Sequence, residues 1–345
     1  MVAPVHPAPA PVAVAVVVVT VDVNRAEWLE WRRHGIGASD VAGILGLSPW
    51  ESPWSIWARK VGLTGEGDQS EAMEFGARAE KMLAGYYEDH TGMWIHGEQT
   101  RCHHVTETWM RASVDGFTGE AHSGSDSLEE MLGPVEFKCT GEPPSAWEGH
   151  LPTHYACQAT WTAIVTAYPT VYFGVLHLAF GRPQFRTYEY SPTGDDIEIV
   201  TAKVRAFWFD HVLTGVPPAV DDSDATTRAL GEAYPGDVAL DALEADRELL
   251  VAWERIHANE QRIKDCAKVV DEAKNQVRAA LGEHTALTHG TDDKGRPVVL
   301  ATWKPGTRTS IDTTLLRNNE PAIAAKYSRA VDTRTLLIKT LKEKP

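Results

Sequence analysis

Pro134-Val135-Glu136-Phe137-Lys138-Cys139 is a short apolar run in which an acid and a lysine flank one phenylalanine. It reads as a buried strand. Strand side chains alternate faces, so Glu136 and Lys138 point the same way. Asp115 stands 21 residues before Glu136, at the end of a second strand candidate, Arg111-Ala112-Ser113-Val114-Asp115-Gly116. Two carboxylates and a lysine converging on one point would bind a hard divalent cation beside an amine able to handle protons. That chemistry hydrolyses phosphodiesters.

Bulk properties are compatible with this. The 345 residues allow one large domain or two moderate ones. With 43% hydrophobic and 23% charged residues, most of the chain should fold. A net charge of -15 has the wrong sign for a protein that coats DNA indiscriminately, which counts against a non-enzymatic nucleic-acid scaffold. It leaves room for a DNA enzyme, because a cation offsets acidic residues locally and a few basic side chains can hold phosphates. Cys102, Cys139, Cys157 and Cys266 form no CxxC pair, so they suggest neither a zinc site nor a disulfide framework. Free thiols in a reducing cytoplasm are the plain reading. Residues 1–23 form a Pro/Ala/Val-rich leader, expected to be disordered and to run into a Val-rich edge strand or tail. Its apolar run Val12 to Val19 is too short to span a bilayer, and no basic segment precedes it.

Helices are expected from Glu27 to His34, after Ser39 or Asp40 as cap, from Pro53 through Val61, and from Glu71 to His90. Strands follow at Trp94–Thr100, Thr108–Val114 and Pro134–Cys139, then a helix over Pro152–Ala167. Val171–Phe180 pairs with Gln184–Tyr190 across a Gly-Arg-Pro turn, and a helix covers Asp195–Leu213. This alternation predicts an α/β core around a mixed sheet. Residues 217–240 read as a linker. Beyond it Leu249, Ile256, Ile263, Val270 and Val277 recur every seven residues, marking one long amphipathic helix. That helix would pack along its own domain or meet a partner. A hairpin around Asp292-Asp293-Lys294-Gly295 and a short basic α/β tail complete this extension, residues 241–345.

Glu-x-Lys alone recurs by chance as an exposed pair on a sheet face, and its surroundings give it meaning. Phe75-Gly76-x-x-x-Glu80 places an acid on the helix before the sheet, and Tyr155-x-x-Gln158 a polar side chain on the helix after it. Alone, each reads as an ordinary helix polar residue. Together with Trp31-Arg32-Arg33-His34-Gly35-Ile36-Gly37-Ala38-Ser39-Asp40, Ser113-Val114-Asp115-Gly116 and Val135-Glu136-Phe137-Lys138-Cys139, they form five motifs in one order. This series resembles the YqaJ-type viral recombinases, relatives of the phage lambda exonuclease in the PD-(D/E)xK nuclease superfamily. The resemblance covers about Arg25 to Leu213, within a nuclease domain set at residues 24–216.

The resemblance implies a restriction-endonuclease-like core that digests linear duplex DNA from its 5′ ends, leaving 3′ single strands for phage-type recombination. Carried over by position, Asp115, Glu136 and Lys138 are the catalytic core, assisted by Glu80 and Gln158. Asp115, Glu136, the Phe137 carbonyl and Glu80 are the implied ligands of Mg2+, with Mn2+ as an alternative. Arg32 and Ser39 match positions that grip the 5′ phosphate. Arg33 is a competitor, because the loop is one residue shorter than in lambda exonuclease. Implied partners are double-stranded DNA ends, further copies in a ring-shaped trimer, and a single-strand annealing protein, in the cytoplasm and away from membranes. A structure-specific or internal endonuclease of the same fold, and a catalytically silent DNA-binding assembly module, are the competing readings. Trp54 and Trp57, three residues apart, read as core; Trp50, in a loop, is the better DNA-facing candidate.

Overall fold

The computed structural model describes residues 16–19, 25–67, 70–97, 99–120, 131–236, 242–329 and 336–338. The chain divides into two compact units, Met1–Pro235 and Gly236–Pro345. Apart from Val16–Val19, the leader expected at 1–23 lies outside the described residues. Those four valines form β1, which pairs antiparallel with β3 (Thr100–His104), in line with the edge-strand reading.

The first unit opens with α1 (Arg25–Arg33), the short α2 (Val41–Ile44), α3 (Pro53–Lys60) and α4 (Glu71–Thr91). Local chemistry sets their ends. Ser52 caps α3 by accepting from the Ser55 amide at 3.0 Å, with Pro53 in the first turn. Ser70 caps α4 in the same way, and Gly92 ends it at a φ of 71°.

Five strands build the main sheet in the order β2-β5-β6-β7-β8: β2 (Met93–His96), β5 (Gly116–Glu120), β6 (Met131–Thr140), β7 (Val171–His177) and β8 (Gln184–Tyr190). Only β6 and β7 run parallel, joined through α5 (Thr153–Thr166); every other neighbour is antiparallel. A smaller sheet, β1-β3-β4, uses β4 (Arg111–Val114). The chain leaves β4 for β5 at Asp115, so the expected catalytic aspartate sits where it crosses from one sheet to the other.

Alternation along β6 separates core from chemistry. Val135 and Phe137 pack with Ala79, Leu83 and Tyr87 of α4. On the other face Val171, Phe173 and Val175 pack with Ala159 and Ala163 of α5. Glu136 stands in register with Phe173 and therefore faces α5. Gly174 lies opposite Phe137, where a Cβ would come within 2.8 Å of the phenylalanine ring, so glycine there admits the ring into the α4 layer. Cutting Phe137 back to alanine would remove a buried aromatic worth about 3–5 kcal/mol. This mixed sheet between helices is the expected α/β arrangement.

Three expectations change. The strand expected over Trp94–Thr100 is two strands, broken at Gly97 with a φ of 62°. β5 escaped notice because Gly116 and Gly119 weaken its strand signal. The linker expected at 217–240 contains α7 (Asp224–Ala233), which follows α6 (Gly194–Ala206) and a π-helical turn at Phe207–Val212. Ala225 and Ala229 of α7 are buried and Thr226 Oγ1 donates to Ser52 Oγ at 2.7 Å, so this segment belongs to the first unit. Ala225 and Ala229 make the buried part of that contact and Leu230 packs beside them, a sparse apolar pattern that read as a linker.

The second unit holds α8 (Arg247–Leu281), the hairpin β9 (Ala286–Thr291) and β10 (Pro297–Thr302), then α9 (Thr313–Asn319) and α10 (Pro321–Lys326). Asp292 Oδ1 accepts from the Lys294 and Arg296 amides at 2.9 Å, fixing the hairpin turn where the sequence placed it. No described helix is long and apolar enough to cross a membrane.

Candidate active site

β6 pairs with β5 only as far as Gly116 and Val135. The next amide on that side, Phe137 N–H, has no strand partner and donates instead to Asp115 Oδ2 at 2.7 Å. Fraying of the ladder thus draws Asp115 against the Glu136-Phe137-Lys138 strand. Lys138 Nζ donates to Glu136 Oε2 at 2.7 Å, and Gln158 Nε2 of α5 donates to the same oxygen at 2.8 Å. Tyr155, one turn earlier on α5, stands with its ring 5.9 Å from Lys138 Nζ. Asp115, Glu136, Lys138 and Gln158 are therefore brought together as the motif spacing implied.

Glu80 approaches from α4. It shares a pocket of about 190 Å3 with Asp115 and Phe137. Its Oε2 accepts from Gln99 Nε2, while the Gln99 amide donates to the Asp115 carbonyl at 3.2 Å. Gln99 holds this bridging place at a φ of 55°. Sequence reasoning missed it, because a lone glutamine after a glycine turn carries no pattern.

The electrostatics show a shortage of positive charge. Burial pushes Glu136 up to about 7, with Asp115 adding to the shift and Lys138 offsetting part of it. Burial likewise pushes Glu80 up to about 7, again with Asp115 contributing. Asp115 is raised by burial against the pull of Lys138. Burial draws the Lys138 ammonium down, but Glu136 and Asp115 outweigh it and hold Lys138 above its usual value. Among the described residues Lys138 is the cation that draws on all three carboxylates, Lys81 also lines the Glu80–Asp115 pocket, and Glu136 Oε1 is buried without a hydrogen-bond partner.

That orphaned oxygen and the acid-rich donor set fit a hard divalent cation. Asp115 and Glu136 are the carboxylates that could hold one, with the Phe137 carbonyl as the further ligand the resemblance implies. Among the described residues no three His, Cys, Asp or Glu side chains close on a common point. Glu80 would have to turn from Gln99 to become a ligand, so its expected place in the metal set is not the one it occupies here.

A second polar cluster lies at the Gly35–Asp40 loop. Ile36 bridges to Met110 beside β4, with its amide donating to the Trp109 carbonyl at 2.8 Å and the Arg111 amide donating back at 2.9 Å. A Cβ on Gly35 would lie 2.2 Å from the Trp109 carbonyl oxygen, so only glycine permits this approach. β4 thus carries the loop at one end and leads to Asp115 at the other, a span of roughly 13 Å. Arg32 turns into the loop, donating to Ser39 Oγ and Asp40 Oδ1, both at 3.0 Å. Arg33 points outward to Glu30, 3.6 Å away.

Asp40, read from sequence as a helix cap, has a larger part. It makes no side-chain capping bond to α2; it accepts from the Gly37 amide at 3.0 Å in the turn before it, is only 1% exposed, and also meets Arg59 at 3.2 Å and Lys60 at 2.7 Å. Burial alone would raise its pKa, yet Lys60, Arg32 and Arg59 hold it far below the usual carboxylate range. Lys60 also donates to the Arg32 carbonyl at 2.9 Å. The available signal was the pair Arg59-Lys60 ending an otherwise apolar helix.

Trp54 and Trp57 are buried as expected. Trp50 is 60% exposed and stands edge-on to His154, 5.0 Å away on the first turn of α5.

Residues 27–169 match the model of the YqaJ-like viral recombinase domain. An uncharacterized protein YqaJ of Bacillus subtilis (strain 168) is 27% identical over 325 residues, 92% of this chain and 95% of that protein. Among solved structures, the alkaline exonuclease LHK-Exo from Laribacter hongkongensis has 21% identity and a TM-score of 0.45, covering 55% of this chain and 94% of its own. A phage related exonuclease from Haemophilus somnus 129PT has 9% identity and a TM-score of 0.40, covering 52% of this chain and 96% of its own.

Proposed function

We propose, taking residues 27–169 as a YqaJ-like viral recombinase domain, that this protein is a divalent-metal-dependent exonuclease. It would digest linear duplex DNA in the 5′-to-3′ direction and leave 3′ single strands for recombination. The observation that carries this reading is Asp115 docked on the Glu136-Phe137-Lys138 strand, beside a Lys138–Glu136 pair whose second carboxylate oxygen is buried and unpartnered. Mg2+, held by Asp115, Glu136 and the Phe137 carbonyl, would supply Lewis acidity and offset the phosphate charge.

The chain's own groups do the rest. Lys138, fixed by Glu136, orients the attacking water and holds a proton at Nζ as the phosphorus is attacked. Gln158 keeps Glu136 turned toward the reacting phosphate. Glu80, with its raised proton affinity, can accept the proton that the water releases. Water adds to phosphorus, and the 3′ oxygen of the terminal nucleotide leaves. Each cut therefore releases a 5′ mononucleotide and exposes a new 5′ phosphate.

Arg32 and Ser39 are the groups we assign to that terminal phosphate. Asp40 holds the Arg32 guanidinium in the loop, with Ser39 Oγ beside it. A guanidinium held this way is suited to fork onto phosphate oxygens. Arg33, paired outward with Glu30, is the weaker candidate.

The test is digestion of linear duplex DNA with a 5′ phosphate or a 5′ hydroxyl, and of closed circular DNA, with and without Mg2+. Mononucleotide release from phosphorylated linear DNA, dependent on Mg2+, is expected. Efficient cutting of closed circles would favour an internal endonuclease and refute the exonuclease assignment.

A further inference from the structure

α8 is 35 residues long, roughly 52 Å of helix, and Asp246 caps it by accepting from the Leu249 amide at 2.9 Å. One face carries a seam of two rows, the first apolar and the second broken by Glu260 and Lys274. Leu249, Ile256, Ile263, Val270 and Val277 form one. Trp253, Glu260, Ala267, Lys274 and Leu281 form the other, in the alternating three- and four-residue spacing of a coiled coil. Leu249, Ile263 and Val270 are 47%, 67% and 49% exposed. A flanking row of Ala252, Asn259, Cys266, Ala273 and Ala280 is small enough for a second helix to come close. Toward its C-terminal end the seam opens into a groove of about 530 Å3, lined by Val277, Leu281, Ala301 and Trp303 among others.

We propose that α8 is a self-association surface whose occupant is α8 of a second copy of this chain, running antiparallel. In that pairing Leu249 faces Leu281 of the second copy, Trp253 faces Val277, Ile256 faces Lys274, Glu260 faces Val270 and Ile263 faces Ala267. The bulkiest seam residue, Trp253, is delivered to the open groove beside Val277, twice over by the two-fold axis. A parallel pair would set Trp253 against Trp253 and leave each groove with only Val277 and Leu281 to fill it.

Charge selects the same direction. Antiparallel pairing places Glu260 within a turn of Lys274 on the other copy, and His257 across from Asp271. Parallel pairing sets Glu260 against Glu260 and Lys274 against Lys274. The small row then brings the two exposed Cys266 thiols side by side at the axis. This two-fold contact lies in the second unit and does not depend on the nuclease reading.

Two readouts on the full-length protein test it: mass by sedimentation, and covalent capture by a short bis-maleimide. A cross-linked dimer is expected that Cys266→Ser abolishes, and Ile263→Asp should halve the mass and remove the cross-link. Glu260→Lys alone should weaken association roughly tenfold. The exchange Glu260→Lys with Lys274→Glu should restore it, with circular dichroism confirming equal helix content throughout. An unchanged mass for Ile263→Asp, no Cys266 cross-link, or a double exchange no better than the single one would overturn the proposal.

Discussion

Asp40 and Glu136 are both buried carboxylates with a lysine ammonium 2.7 Å away, yet their proton affinities move in opposite directions. Asp40 has Lys60, Arg32 and Arg59 around it and a backbone amide besides. Glu136 shares its single lysine with Asp115 and Glu80, and one of its oxygens has no partner. In the first cluster the carboxylate is fully paired, and it holds the Gly35–Asp40 loop and the Arg32 guanidinium in place. The second is short of positive charge, the condition under which a cation binds tightly. Burial is common to both, so it is the count of counter-charges that separates a structural carboxylate from a reactive one.

The largest effect should come from breaking the second cluster. Lys138→Ala is expected to lower nucleotide release by about 10²–10⁴-fold while DNA binding persists, read by single-turnover assay and filter binding. Next comes breaking the first. Asp40→Asn leaves Lys60 and Arg32 without their carboxylate, and Arg59 with Glu51 and Glu66 alone, and should cost about 3–5 kcal/mol of stability in urea unfolding. A loss below about 1 kcal/mol would mean that Glu51 and Glu66 suffice for the cluster and the hub description is wrong.

Arg32→Ala sharpens the comparison from the loop side. Loss of a charged hydrogen-bonding group should reduce the preference for 5′-phosphorylated ends by roughly 10–100-fold, whereas Arg33→Ala should leave it intact. Equal effects of the two substitutions would show that the loop does not distinguish them.

The smallest effect is the most diagnostic of charge. Glu136 binds its proton more tightly folded than unfolded. Its stabilising contribution is therefore present below the ordinary glutamate pKa and is lost as pH rises to about 7. Asp40 has the opposite sign, stabilising above the ordinary aspartate value and failing only in strong acid. In metal-free buffer at pH 8, Glu136→Gln should leave stability unchanged or raise it by roughly 1–3 kcal/mol, although it abolishes activity. Added Mg2+ should raise the melting temperature of the wild type more at pH 8 than at pH 5.5.

Much of this was legible in the sequence because its signals are local. The Glu136-Phe137-Lys138 alternation, the Gly-bounded loop and Pro53 opening α3 each lie within a few residues. The resemblance then joined sites far apart in the chain. What escaped was non-local or made by small residues. Asp40 meets Arg59 and Lys60 across nineteen and twenty positions, and Gln99 reaches Glu80 from a turn that no periodicity marks. α7 is held mainly by alanines and a threonine with Leu230 beside them, a set that leaves little hydrophobic signature.

The central claim is that the Asp115–Glu136–Lys138 centre is an incomplete charge cluster that a divalent cation completes for phosphodiester cleavage. It is tested most directly by titrating Mg2+ into wild type and Glu136→Gln while following mononucleotide release from 5′-phosphorylated linear duplex DNA. Release that rises from none to saturation with Mg2+ in the wild type, and stays absent in Glu136→Gln at every concentration, is the predicted result. Release without divalent metal, or a wild-type response to Mg2+ in Glu136→Gln, would contradict it.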